Sequence, residues 1–143
     1  MIRYQDDLDG IATEDLSGFF ANWPNPPDLQ THRRILEGSD EIVIAIDDET
    51  QAVAGFITAI TDGVLAAYIP LLEVRPACQG RGIGRELTRR MIAKLTGFYM
   101  IDLLCDRNLE EFYEPLGMRA GFGMMIRNYD CQSGRRHTGP PAA

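Results

Sequence analysis

Three glycines fall within five positions of one short segment, Gln79–Arg85, at Gly80, Gly82 and Gly84. Glycine weakens helices and strands unless it permits a backbone conformation, or a close approach, that a side chain would prevent. A helix that begins directly after such a segment adds the positive end of its dipole to the free backbone amides, and this combination favours an anion. The segment therefore predicts an anion-binding loop, with a tight turn that binds nothing as the alternative.

The spacing of the glycines excludes two common phosphate-binding motifs. A GxxxxGK[ST] loop needs a lysine and a hydroxyl that this segment does not contain. A dinucleotide fingerprint, GxGxxG, fails as well, because the third glycine would fall at Arg85 when counted from Gly80 and at Leu87 when counted from Gly82. The pattern that fits is QxxGxG, and Arg81 and Arg85 can add positive charge to it.

Two blocks of sequence resemble the GNAT superfamily of N-acetyltransferases. The first is Leu72-Glu73-Val74-Arg75-Pro76 followed by Gln79-Gly80-Arg81-Gly82-Ile83-Gly84, which is similar to the acetyl-CoA motif of that family. The second is Phe112-Tyr113-Glu114-Pro115-Leu116-Gly117-Met118, which is similar to its Tyr-x-x-x-Gly-Phe segment. The resemblance covers about residues 2–129, and it implies an acyltransferase that uses acetyl-CoA as co-substrate and no metal.

The resemblance also implies roles for individual residues. The pyrophosphate of CoA would lie on the amides of the glycine loop, and the pantetheine arm would bond to the backbone of the preceding strand. The residues that it implies for cofactor binding are Leu72, Val74, Gln79, Gly80, Arg81, Gly82, Ile83, Gly84, Arg85 and Asp106, the last standing where the family usually has an asparagine. Tyr113 matches the tyrosine that protonates the departing thiolate, although a purely packing role is the alternative.

The candidate general bases are Tyr68, Glu73 and Asp62, in that order. Tyr68 lies on the strand where several family members place a Glu or His, but a tyrosine with its ordinary pKa of about 10 is a weak base. Glu73 is a carboxylate between Leu72 and Val74 in the sequence, although strand alternation directs it away from the face that carries those two residues. Asp62 lies at a turn. An amine that arrives neutral would need no strong base.

The resemblance implies that the acceptor site is built largely by the first two helices, the loop between them and the last strand pair. Phe20, Trp23 and Asn25 lie in or beside the segment Trp23-Pro24-Asn25-Pro26-Pro27. A tryptophan beside three prolines predicts a rigid aromatic wall that suits a small apolar or cationic group, or else a cap over the core. His32, on the second helix, is expected at the surface.

The elements that must position these residues follow from changes in hydrophobic period. Strands are predicted over 2–5, 42–46, 53–60, 65–74 and 98–104 and as a pair within 118–129, and helices over 13–22, 28–37, 85–95 and 107–115. Pro70 predicts an edge, a bulge or a splay in its strand. Together with the resemblance, this order predicts an α/β, GNAT-like fold, with a mostly antiparallel mixed sheet of six to seven strands and about four flanking helices.

Length and composition predict one domain, which the resemblance implies to be an acyltransferase domain over residues 1–130, followed by a flexible tail over 131–143. The 143 residues carry a net charge of −7, which argues against a nucleic-acid or anionic-membrane partner. Three cysteines without metal-like spacing, and the lack of an apolar stretch of about 18 residues, predict a reduced cytoplasmic protein.

The predicted function is direct transfer of an acetyl group from acetyl-CoA to the primary amine of a small molecule in a ternary complex. A peptide substrate, acetylated at its N-terminus or at a lysine, is the first alternative. A non-catalytic acyl-CoA sensor is the second, because Tyr68 and Asp106 depart from the family pattern. The sequence leaves open whether the chain forms a homodimer.

Overall fold

A computed structural model of the chain describes residues 1–136. Its five strands form one sheet in the order β1 (Ile2–Gln5), β2 (Glu41–Asp47), β3 (Val53–Thr61), β4 (Ala66–Val74) and β5 (Met100–Asp102). The first four strands pair antiparallel, and β5 pairs parallel to β4. The α-helices are α1 (Leu29–Gly38), α2 (Ile83–Lys94) and α3 (Glu110–Tyr113). Single 3-10 turns lie at Thr13–Leu16, Pro76–Cys78, Arg107–Leu109, Glu114–Leu116 and Tyr129–Cys131.

Other parts of the chain cover both faces of the sheet, because the strands carry apolar side chains that point to each face. On one face, Ile57 and its neighbours pack against Leu87 and Met91 of α2. On the other, Phe56 packs with Leu36 of α1 and with residues of the 13–23 segment. We refer to these as the α2 face and the α1 face. The predicted α/β class and mixed sheet are confirmed.

The described residues form five strands and three α-helices, fewer than the six to seven strands and about four helices predicted. The predicted helix over 13–22 is wrong beyond Leu16, because Gly18, Phe20 and Asn22 have positive φ angles of 89°, 60° and 68°. The predicted last strand pair over 118–129 is also wrong. Residues 118–128 have no strand pairing, and Gly121 and Gly123 within them weaken any strand.

Pro70 lies at a β-bulge. Between Thr58 and Ile60 of β3 the register with β4 shifts, so that one intervening residue of β3 faces the two β4 residues between Tyr68 and Leu71. Proline has no N–H to donate, and a bulge is one of the places where a sheet tolerates it. On its other side, β4 pairs with β5 only as far as Tyr68, so Pro70 also lies where β4 has a free edge.

The end of the described chain lies beside the loop before α1. The backbone N–H of Asn25 donates to the side chain of Gln132 at 2.8 Å, and the Cα of Gly134 faces Thr31. Residues 137–143 of the predicted tail lie outside the described residues. Within residues 1–136, no helix has both the length and the apolar character that a membrane span requires.

Candidate active site

A slot opens where β4 and the edge strand β5 separate. Pairing between them is limited to Ala66–Tyr68 with Met100–Asp102, and β4 continues for six more residues without β5 beside it. The N–H of Arg75 donates to β3 at Ala54, 2.9 Å away. Because backbone groups alternate along a strand, those of Leu72 and Val74 point to the opposite side, into the slot.

The glycine loop lies beyond the end of β4 and turns directly into α2. Gly80 and Gly82 both have a φ of 79°, in the left-handed region, and a Cβ at either would meet nothing within 4 Å. Gly82 is the N-cap of α2, and no side chain caps this helix terminus. The amides of Ile83, Gly84 and Arg85 precede the first bond of the helix, from the Glu86 N–H to the Gly82 carbonyl, and are therefore available to an anion.

Two side chains modify the loop in ways that the sequence did not reveal. The Gln79 amide donates to the carbonyl of Val74 at 3.2 Å, so it occupies one of the two backbone positions expected to bind the pantetheine arm. Arg81 lies 3.5 Å from the Asp47 carboxylate, while Arg85 is exposed on the first turn of α2. The open amides, the free edge at Leu72 and the exposed Arg85 fit a CoA pyrophosphate and pantetheine.

Tyr113 lies on α3, near the segment that follows β5. It lines a cleft of about 310 Å³ together with Leu103, Cys105 and Met118. Burial raises the pKa of Tyr113, and the nearby Cys105 raises it further. The phenol is therefore protonated at neutral pH and is able to donate a proton. Asp106 is exposed and begins the 3-10 turn before α3.

The three candidate bases have different surroundings. Glu73 points to the α1 face, as alternation predicted, and its Oε1 accepts the backbone N–H of Phe20 at 2.9 Å. Burial raises its pKa, partly offset by that hydrogen bond. Asp62 accepts the amides of Val64, Leu65 and Ala66 at 2.8, 2.8 and 3.1 Å, which lowers its pKa.

Tyr68 lies on the wall of a second cleft. This cleft, of about 970 Å³, runs along β5 and under the segment 116–127. Tyr68 is the register partner of Asp102, which lines the same cleft. Of the three candidate bases, Tyr68 alone lines this cleft.

The predicted acceptor residues separate into two groups. Phe20 and Trp23 have ring centroids 4.8 Å apart with planes tilted by 59°, and they belong to the aromatic cluster on the α1 face, near Glu73. Asn25 is exposed and lines another groove, with Asp28 and Thr31, that none of the predicted cofactor or catalytic residues reaches.

The expectation for His32 is wrong, because its side chain is 1% exposed. It lies in the middle of the aromatic cluster, with ring centroids 4.9 Å from Phe20 and 4.6 Å from Phe56. His32 lies one helical turn before the buried Leu36. The helical spacing of these two residues on α1 therefore predicts that His32 is buried too.

Residues 8–118 match the model of the Acetyltransferase (GNAT) family. The chain belongs to the GNAT family of acetyltransferases. It is thus a transferase, and the family resemblance of the glycine loop and of the Phe112–Met118 block is confirmed.

Solved structures and a curated relative agree with this assignment. A candidate acetyltransferase from Deinococcus radiodurans R1 is 43% identical, with a TM-score of 0.89, over 95% of this chain and 94% of that one. A GNAT family protein from Streptococcus pneumoniae TIGR4, 24% identical with a TM-score of 0.72 over 90% and 98% of the two chains, shares the fold. Serotonin N-acetyltransferase 2, chloroplastic, of Oryza sativa subsp. japonica is 36% identical over 91 residues, which are 59% of this chain and 44% of that protein. The match thus spans less than half of the rice enzyme.

Proposed function

We propose that this GNAT acetyltransferase moves an acetyl group from acetyl-CoA to the primary amine of a small molecule, in a ternary complex. The observation that carries the proposal is the free edge of β4 beyond Tyr68, with uncapped amides at Gly82 beyond its end and, at Tyr113, a cleft lined by the residues that follow β5. Acetyl-CoA supplies the acetyl group in activated form. These features support a site that holds this donor along β4 and leaves its reactive end beside Tyr113.

Tyr113 and Glu73 are the proposed acid and base. The raised pKa of Tyr113 keeps its hydroxyl protonated, so it can donate to the sulfur that leaves. The raised pKa of Glu73 brings its carboxylate closer to a working base at neutral pH than an ordinary glutamate. Asp62 is held in a turn by three amides, and its lowered pKa makes it the weakest candidate. Glu73 therefore replaces Tyr68 as the preferred base.

A small amine is favoured over a protein substrate because the wall near Glu73 is aromatic and packed. Phe19, Phe20, Trp23 and Phe56 contact one another or His32 there, and such rings favour a compact cation. The rice relative is named for serotonin, a small primary amine with an aromatic ring. A peptide acceptor is the alternative, and it would use the exposed cleft along β5 instead.

The test is release of the CoA thiol with acetyl-CoA and a panel of amines. The panel contains serotonin, phenethylamine, spermidine, a lysine-containing peptide and a peptide with a free N-terminus. Faster turnover of a small amine than of either peptide supports the proposal, and the reverse order refutes it in favour of a protein acetyltransferase. Calorimetric binding of acetyl-CoA without turnover on any amine would support the sensor alternative.

A further inference from the structure

The segment 118–128, which follows Gly117, has neither helical structure nor strand pairing. Three of its residues line both the cleft at Tyr113 and the cleft along β5: Gly121, Gly123 and Met125. Gly123 lies so close to Leu104 that a Cβ on it would come within 2.6 Å of that side chain. The residues that alternate with these three are almost fully exposed: Phe122 at 96%, Met124 at 85% and Ile126 at 83%. One side of the segment therefore walls the clefts, and the other side, which we call the outer face, is apolar and open to solvent.

Further exposed apolar side chains lie beside the outer face. They line the same cleft along β5 as the segment does, and they are Tyr99, Met100 and Leu104, at 84%, 39% and 41% exposed. Soluble monomers rarely expose a large contiguous apolar patch, and such a patch marks an interaction surface. A substrate bound in either cleft would not cover it, because Ile126 lines neither cleft.

The accessible surface of the whole chain is larger than a compact monomer needs. The chain exposes 9556 Å², whereas a compact monomer of 16.0 kDa exposes about 7,400 Å². The seven residues outside the described range add at most about 1,000 Å², the surface of a fully extended chain of that length. The remaining excess, roughly 1,200 Å², exceeds the roughly 800 Å² that each partner buries in a standard protein interface. A second copy of the chain therefore finds enough uncovered surface for a stable dimer.

Unpaired charges of both signs lie near the outer face. Arg119 and Arg127 are exposed, one toward each end of the segment, and among the described residues neither takes part in an ion pair. The same holds for four exposed carboxylates of the preceding stretch: Asp102, Asp106, Glu111 and Glu114. A second copy brings both sets of charges, and two-fold symmetry allows the arginines of each copy to face the carboxylates of the other. Opposite charges around an apolar centre are the arrangement of a specific interface.

We propose that the outer face of residues 118–128, with Tyr99, Met100 and Leu104, is the interface of a two-fold symmetric dimer of this chain. Every residue of the patch then occurs twice in the interface, once from each copy. The dimer covers the apolar side chains and holds the segment in place as the wall of the cleft at Tyr113. The proposal does not rest on acetyl transfer, because it concerns a surface outside both clefts.

The test is sedimentation equilibrium at micromolar concentrations of the full chain, without substrates. The wild type is expected to have twice the chain mass of 16.0 kDa. Ile126→Ser should raise the dissociation constant of the dimer about 100-fold, because the side chain is lost from both copies and each loss at the centre of an interface costs about tenfold. Ile126 is exposed in the single chain, so the variant should keep the wild-type circular dichroism. Phe122→Ser should behave in the same way.

The matched control is Leu29→Ser, which changes a partly exposed leucine at the start of α1 that lines none of the clefts described above. It should keep the dissociation constant of the wild type. A wild type that stays monomeric at all concentrations overturns the proposal. So does a dimer that Ile126→Ser and Phe122→Ser leave unchanged, or that Leu29→Ser weakens equally.

A peptide acceptor is the other occupant that the measurements can identify. A monomeric wild type whose KM for a lysine-containing peptide rises in Ile126→Ser, but not in Leu29→Ser, would overturn the dimer and assign the outer face to the peptide. A dimer that Ile126→Ser dissociates supports the proposal even where no amine is acetylated. That result would refute the proposed function and leave the interface standing.

Discussion

The imidazole of His32 is 1% exposed, and burial lowers its pKa from 6.5 to about 4. Between these two values the unfolded chain binds a proton that the folded chain does not bind. The free energy of unfolding is therefore unaffected above pH 6.5 and falls as the pH falls toward 4. At pH 4.5 the difference amounts to about 2.5 kcal/mol from this one group.

The perturbation is His32→Phe, which keeps an aromatic ring in the cluster and cannot titrate. At pH 7 the variant should be about 1 kcal/mol less stable, since it loses the hydrogen bond to the Leu16 carbonyl. At pH 4.5 it should be more stable than the wild type, because it avoids the cost of holding the imidazole neutral.

The assay is urea unfolding of both proteins at pH 7 and at pH 4.5. The difference between the two proteins isolates His32, because the carboxylates that titrate in this range are common to both. A difference that is the same at both pH values would refute the reasoning, since it would mean that His32 protonates equally in the folded and unfolded states.

Three further substitutions test the donor site and the sheet. Gly82→Val should weaken acetyl-CoA binding at least tenfold in calorimetry, because φ is 79° at this N-cap. Gly97→Ala, in an open turn, should leave acetyl-CoA binding unchanged. Equal effects of the two substitutions would contradict anion binding by the glycine loop. Tyr113→Phe should lower kcat about 100-fold with little change in acetyl-CoA KM, and an unchanged kcat would remove Tyr113 from the mechanism. Gly55→Ala should lower the free energy of unfolding by about 1–3 kcal/mol, measured by thermal unfolding, because its Cβ would lie 2.9 Å from the Glu73 carbonyl. An unchanged melting temperature would show that β3 and β4 can move apart to accommodate the added methyl group.

Local signals in the sequence predicted the parts of the fold that local interactions determine. The strands up to Val74 and the helices α1 and α2 lie within two residues of their predicted bounds. The glycine loop was found because its amides, its following helix and its motif depend on adjacent residues. The direction of Glu73 followed from alternation along one strand.

Contacts between distant segments were not predictable in the same way. The hydrogen bond from the Phe20 amide to the Glu73 carboxylate was not predicted, because the two residues are 53 positions apart in the chain. The helix over 13–22 was predicted from the spacing of Leu16, Phe19 and Phe20. Those side chains are buried or half-buried, but no single helix carries them: Leu16 ends a 3-10 turn, and the backbone after it has positive φ at Gly18, Phe20 and Asn22. Tertiary packing has overridden the helical spacing.

The most direct test of acetyl transfer is mass spectrometry after incubation with phenethylamine and acetyl-CoA that carries an isotopic label in its acetyl group. The account predicts labelled N-acetylphenethylamine, formed only when both substrates are present, and no label on the protein when the amine is omitted. The absence of an N-acetylated product would contradict the proposed activity. Label retained on Cys105 without amine would contradict direct transfer.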